Sequence, residues 1–176
     1  IIKGFHLLTY KPIVFGLNKK SAGKNLDVTD VDTFGKLTDA ITERGFRYVV
    51  IDAKTEHELS DFDGDEKAMM RVELEHVDDG IDQLIQQSYA LLGLMTYFTT
   101  GITETRAWTV SVGSTAPQAG RAIHNDFQTK FIRADVIGWD TLIDAGSYAN
   151  ARAKGRVRTE GKEYIVVDGD VIEFRV

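Results

Sequence analysis

The stretch PIVFGLNKKSAGKNLDVTDVDTFGKLTDAITERGFRYVVIDA, Pro12 to Ala53, decides the architecture. Its first part, PIVFGL, is a short apolar run closed by polar residues, and predicts a buried strand. Val31, Phe34, Leu37 and Ile41 then recur at three- and four-residue spacing, the period of a helix whose apolar side faces a core. Thr29 or Asp30 stands where an N-cap belongs, and Gly45 where a helix stops. FRYVVIDA, Phe46 to Ala53, is β-branched and aromatic, and predicts a second strand. Strand, helix and strand with short connections imply a parallel crossover and an α/β layer. Two parallel strands alone leave Ile13, Phe15, Val49 and Ile51 short of neighbours on one side, and an open edge invites pairing.

Each strand of this unit ends in a short polar loop. The first ends in Asn18-Lys19, with Ser21 three residues after the asparagine. In nucleotide-binding α/β domains an asparagine here bonds the purine edge, and a lysine stem lies across the base. A carboxylate three residues on accepts two guanine hydrogens through charge-assisted bonds. A serine hydroxyl cannot replace that bidentate acceptor, so about 1.5–3 kcal/mol of guanine selection is expected to be missing. Asn-Lys-Lys is also a common polar turn. The second strand ends in Ala53-Lys54, where GTPases place a Ser-Ala-Lys loop with a backbone N–H aimed at the base. The phosphate loop such a site serves, Gly-x-x-x-x-Gly-Lys-Ser/Thr, does not occur in the 176 residues; its near miss at Gly23-Lys24 has Asn18 at the first position and Asn25 at the last.

Beyond this unit, DFDGDE (Asp61 to Glu66) suggests a calcium loop. Counted from Asp61, however, the sixth and twelfth positions are Glu66 and Val72, where glycine and glutamate are needed. An acidic helix N-terminus is the plainer reading. GIDQLIQQSYALLGLMTYF predicts one long helix, with Ile81, Leu84, Ile85, Leu91, Leu92 and Met95 on its buried side. A boundary is expected between Gly93 and Gly101. After it, RAWTVSV reads as a strand and STAPQAGRAIHNDF as a helix capped by Ser114 or Thr115, with Pro117 in its first turn. FIRADVIGW reads as a strand and DTLIDAGSYANARAKG as short helical turns. EYIVVDGDVIEFRV reads as a hairpin about Asp168-Gly169. This order of elements predicts a small α+β domain of the β-grasp type.

Composition narrows the functions. With no cysteine there is no disulfide, zinc–thiolate or thiol-nucleophile chemistry. His6, His57, His76 and His124 show no metal-ligand spacing. Tyr89 to Phe98, the longest mostly apolar run, is far short of the ~20 residues that span a bilayer. The opening IIKGFHLL resembles the tail of a helix entered midway, so a fragment is expected. The first 95 residues hold 11 Lys and Arg against 17 Asp and Glu, and the remainder holds 10 against 10. One basic cluster stands out: Arg152, Lys154, Arg156, Arg158 and Lys162 against Glu160 alone. It reads either as a solvated face or as a contact for RNA phosphate.

From Leu91 to Ile137 the blocks TYFT-G, RAWT, TAPQA, IH-DF and FIRA follow in order, and GKEYIVVDGDVIEFRV closes the chain. Together they resemble the C-terminal part of the Obg-like ATPases of the YchF subfamily of P-loop NTPases. FHLLTYKPIVFGLN is similar to the point where that family re-enters its nucleotide domain. The resemblance implies that residues 1–92 are the last part of an OBG-type nucleotide domain, an α/β remnant, and that residues 93–176 are a TGS domain. It implies a cytoplasmic protein that hydrolyses ATP or GTP with Mg²⁺ and associates with ribosomes, with no membrane or DNA role. This chain, without a P-loop, is expected to be inactive alone, and a purely RNA- or protein-binding TGS module is the alternative. The family's base motif is typically Asn-x-x-Glu. Here Asn18 matches and Ser21 replaces the acid, which leaves the choice between ATP and GTP open.

Overall fold

In the computed structural model, which describes residues 7–20, 23–73, 80–101 and 104–176, the chain divides into two units, Ile1–Leu92 and Gly93–Val176. In the first, β1 (Val14–Asn18) and β2 (Arg47–Ile51) pair in parallel, with Val14 opposite Arg47 and Asn18 opposite Ile51. A single turn, α1 (Leu26–Thr29), and α2 (Val31–Glu43) connect them. Both ends of α2 follow from the sequence. The Asp30 carboxylate accepts the Thr33 N–H at 3.1 Å. Gly45 takes φ +75°, which lets the Phe46 N–H reach the Ile41 carbonyl at 3.1 Å and satisfies the last turn.

The apolar stripe of α2 is covered only toward its end. Ile41 is buried and Phe34 half-buried, whereas Leu37 and Val31 are exposed. β1 also differs from the buried strand expected, since Ile13 and Phe15 are each 39 % exposed. Among the described residues β1 has a strand partner on one side only. β2 is better covered than expected: Val49 is buried and Ile51 half-buried, because α2 and α5 (Gly80–Leu92) pack on it. The approach of α5 is close, and a Cβ at Gly80 would stand 2.8 Å from Ile51 Cγ1. Between β2 and α5 lie α3 (Ala53–Leu59) and α4 (Gly64–Glu73), the latter with Asp65 and Glu66 in its first turn.

The long helix expected through Phe98 ends at Leu92. Gly93 adopts φ +62° and breaks it, and Leu94–Thr100 forms β3. A continuous apolar run does not distinguish helix from strand. Here Met95 and Tyr97, two apart, enter the core of the second unit together, so Met95 does not belong to the face of α5. β3 pairs with β4 (Thr105–Ser111), and the five-stranded mixed sheet has the order β4-β3-β7-β5-β6. Its other strands are β5 (Arg133–Gly138), β6 (Arg158–Glu160) and β7 (Asp170–Arg175); β7 runs parallel to β3 and antiparallel to β5.

Two further expectations are corrected. The helix predicted over Ser114–Phe127 is two short ones, α6 (Ala116–Gly120) and α7 (Asn125–Thr129). His124 is extended between them, and its Nδ1 accepts the Asp126 N–H at 3.2 Å, which caps α7 and stops a continuous helix. The C-terminal hairpin does not form. Gly169 turns at φ +84°, but β7 lies between β3 and β5, and the residues before the turn contribute only the isolated bridge of Ile165 with Thr115. The Asp170 carboxylate takes the Val167 N–H at 2.9 Å, which removes a donor that a hairpin ladder requires.

Successive side chains of β5 and β7 serve opposite sides of the sheet. Ala134, Val136 and Ile172 join Tyr97, Ala116, Ala119 and Phe131 in one cluster. Ile137 and Val171 join Ala145 of α8 (Trp139–Ala145) and Ala151 of α9 (Tyr148–Ala153) in another. Ile137 and Ile172 are each 1 % exposed, and burying a side chain of that kind is worth about 1.5–3 kcal/mol. Fully buried Tyr97 donates its hydroxyl to the Ala119 carbonyl at 2.9 Å, and desolvation raises its pKa well above the ordinary value.

Candidate functional site

The parallel register places the carboxyl ends of β1 and β2 side by side, the usual location of ligands in α/β sheets. The Lys19 N–H continues the ladder to the Ile51 carbonyl at 2.8 Å. One residue further on, the Ala53 N–H donates to Asn18 Oδ1 at 3.0 Å. The two loops singled out in the sequence are thereby joined, and the N–H of Ala53 points at Asn18. Asp52 stands in the second loop where a small residue was expected. Its Oδ1 accepts from the N–H groups of Lys54 and Thr55, each at 3.1 Å, so it is the N-cap of α3.

The loop after β1 folds around Asn25. Its Oδ1 accepts the Lys20 N–H at 2.9 Å and its Nδ2 donates to the Lys20 carbonyl at 2.8 Å. Its own carbonyl accepts the Thr29 N–H and hydroxyl, both at 2.8 Å, which anchors α1. A cleft of about 260 Å³ results, lined by Gly16, Leu17, Asn18 and Lys19 on one side. Asn25, Leu26 and Asp27, with Phe34 and Leu37 of α2 and Val50 of β2, complete it. The part of the α2 stripe that the core leaves uncovered is thus a wall of this cleft. Ala53 and Lys54 are not part of its lining, and Lys54 pairs with Glu58 at 3.4 Å. Ser21 lies outside the described residues, as do His6 and His76.

Behind the cleft, Glu56 is a functional-looking acid with a structural task that sequence reading missed. It is 2 % exposed, receives both terminal nitrogens of Arg71 at 3.2 and 3.0 Å, and accepts the Gly80 N–H at 3.1 Å. It therefore ties α3, α4 and the start of α5 together. No pattern in the sequence pairs residues 15 and 24 positions apart across three elements.

The basic cluster of the second unit separates into two groups. Arg152 donates to Asp135 at 2.6 Å, and Arg158 donates to the Tyr164 hydroxyl at 3.1 Å while standing 3.8 Å from Asp170. Lys154, Arg156 and Lys162 are exposed and enter none of the ion pairs among the described residues. Asp135, 3 % exposed, would be raised by burial. The Thr159 hydroxyl at 2.9 Å and the guanidinium groups of Arg152 and Arg175 outweigh that, and hold its pKa below the ordinary carboxylate value. Tyr164 donates to Asp170 at 2.7 Å; desolvation and that carboxylate push its hydroxyl up to about 12.

No cluster of three or more His, Cys, Asp or Glu among the described residues can hold a metal ion, so they supply no site fitted to Mg²⁺. No helix among them is long and apolar enough to cross a membrane.

Fold and site together define a mixed α/β protein: a parallel-strand edge with joined loops, and a five-stranded domain with a small basic segment. Residues 94–176 match the family model YchF-GTPase_C, described as a protein of unknown function (DUF933). Over 175 residues, 99 % of the chain, it is 43 % identical to the ribosome-binding ATPase YchF of Bacillus subtilis (strain 168), of which it covers 48 %. The Haemophilus influenzae protein of the same name is 40 % identical over 175 residues, with 99 % of this chain and 47 % of that one covered. The structure of the Schizosaccharomyces pombe YchF GTPase superposes with a TM-score of 0.82 at 27 % identity, covering 99 % of this chain and 46 % of that one. The chain belongs with the YchF proteins and corresponds to their C-terminal part. It spans about half the length of the relatives it matches.

Proposed function

We propose that this chain is the nucleobase-reading edge and ribosome-docking module of a cytoplasmic YchF-type protein that hydrolyses ATP or GTP. Residues 1–92 end its OBG-type P-loop domain, and residues 93–176 form its TGS domain. The observation that carries this reading is the hydrogen bond from the Ala53 N–H to Asn18 Oδ1 at 3.0 Å. It unites two base-reading loops at the carboxyl ends of parallel strands, beside a cleft with apolar walls and one lysine. The sheet order β4-β3-β7-β5-β6, with parallel β3 and β7 at its centre, supports the β-grasp reading of the second unit. Mg²⁺ belongs with the triphosphate, whose contacts supply most nucleotide affinity. This chain's Asn18 and Lys19 orient the base, and its phosphate-loop pattern is absent.

Lys154, Arg156 and Lys162 are the cations available to a polyanion, whereas Arg152 and Arg158 are held by Asp135 and Asp170. Three phosphate contacts give log K against log salt a slope of roughly −2 to −2.7. Ribosome co-sedimentation tests the docking role: replacing the three cations by glutamate should abolish pelleting at moderate salt, and unchanged pelleting refutes it. A calorimetric titration of the chain with ATP and GTP tests the division of labour. Weak binding is expected, and tight binding of either refutes it.

A further inference from the structure

The cleft holds one carboxylate, Asp27. Its Oδ1 is out of reach of solvent and has no hydrogen-bond partner. Nearby acids are used differently, since Asp30 caps α2 and Asp52 caps α3. A shielded acceptor without a donor is rare and costly in a folded protein, and calls for an explanation. The position of Asp27 is set by its surroundings. Asn25, two residues earlier, is bonded to both backbone groups of Lys20, and Thr29, two residues later, is bonded back to Asn25. The carboxylate is therefore kept in the same cleft as Asn18 and Lys19 by a folded loop.

We propose that Asp27 is the specificity-determining acid of this edge, and that it accepts the exocyclic amine and adjacent ring N–H of a guanine base. This rests on the base-binding reading of the cleft. It supplies what Ser21, three residues after Asn18, cannot. The side chain meets the ligand by rotating about its two single bonds, which exchanges an unpaired oxygen for a paired one. Guanine presents two donors side by side, matched to the two carboxylate oxygens. Adenine presents an amine beside a ring nitrogen that is itself an acceptor, so one oxygen of Asp27 would meet a lone pair. Inosine keeps the ring N–H and lacks the amine, and should fall between them.

The test is a ¹⁵N NMR titration of the full chain with guanosine, inosine and adenosine separately, and of the variants Asp27→Asn and Asp27→Ser. Guanosine should bind more tightly than adenosine by about tenfold or more, the value of one or two bonds to a charged acceptor. It should shift the amides of Asn18, Asp27 and Leu37. Both variants should lose that preference and leave adenosine affinity unchanged, and spectral dispersion reports that they fold. If no nucleoside shifts the cleft amides, the base-binding reading fails and this proposal with it. If nucleosides bind there but the wild type prefers adenosine, binds all three equally, or keeps its guanosine preference in the variants, the assignment of Asp27 alone is overturned. Should a variant fail to fold, the order of the three nucleosides on the wild type still separates these outcomes.

Discussion

Replacing Arg71 by methionine leaves the Glu56 carboxylate in place and removes both guanidinium donors, at 3.2 and 3.0 Å. The Gly80 N–H at 3.1 Å stays with the carboxylate. Side-chain exposure is 3 % for Glu56 and 13 % for Arg71, so water cannot readily replace the lost donors. Stranding one member of a buried pair costs about 3–5 kcal/mol. The remaining backbone bond and the partial exposure of Arg71 favour the lower end, about 3 kcal/mol. For a domain of 60–100 residues that lowers Tm by about 12–24 °C. The assay is thermal and urea unfolding followed by far-UV circular dichroism, with amide exchange at Gly80 as the local readout. Both tryptophans, Trp108 and Trp139, lie in the second unit, so their fluorescence reports on that unit separately. A double change, Glu56→Leu with Arg71→Met, should recover most of the loss, since an apolar replacement of a buried pair is often neutral. If Arg71→Met shifts stability by less than about 0.5 kcal/mol, the size of an ordinary surface change, the pair is not the brace described here.

Two further outcomes follow from the second unit. Tyr164→Phe removes the bonds to Asp170 and Arg158 and should cost about 1–3 kcal/mol in a urea melt followed by tryptophan fluorescence. In the wild type the phenol should titrate at about 12 by ultraviolet difference spectroscopy. Because the folded pKa of Asp135 is depressed, its contribution to stability is complete above the unfolded carboxylate value, about 3.9, and is lost as pH falls through the lower folded value. Acid unfolding of Asp135→Asn should accordingly start from lower stability at neutral pH and show a shallower fall below about pH 4, and parallel curves would count against the assignment.

The sequence was most readable where local chemistry decides the outcome. Asp30 and Gly45 bound α2 as their residue types require, and the β-branched run of β2 pairs in parallel with β1. It was least readable where a choice is made by distant partners. Leu91 to Phe98 carries a helical and a strand period at once, and only the left-handed Gly93 and the core around Tyr97 select between them. The Asp-Gly pair at Asp168 does make a turn, but the strand it leads into is partnered by β3 and β5, which no local signal names. The candidate site shows the same division. Asn18 and Ala53 were legible because each ends a strand, and their mutual bond adds the connection. Asp27, Glu56 and Asp135 were not, because their significance lies in what surrounds them and not in their spacing.

Arg152 and Arg158 stand at either end of the segment that carries Lys154 and Arg156, one bonded to β5 through Asp135 and the other to Tyr164 and near Asp170 of β7. The segment is pinned at both ends to adjacent strands of one sheet. A partner that meets Lys154 and Arg156 finds their backbone already ordered, so association gives up only side-chain rotamer freedom, about 0.5–1.5 kcal/mol for each immobilised chain. Two arginines that make the cluster look more basic than it is thus act as fasteners, and convert a short loop into a preorganised contact surface.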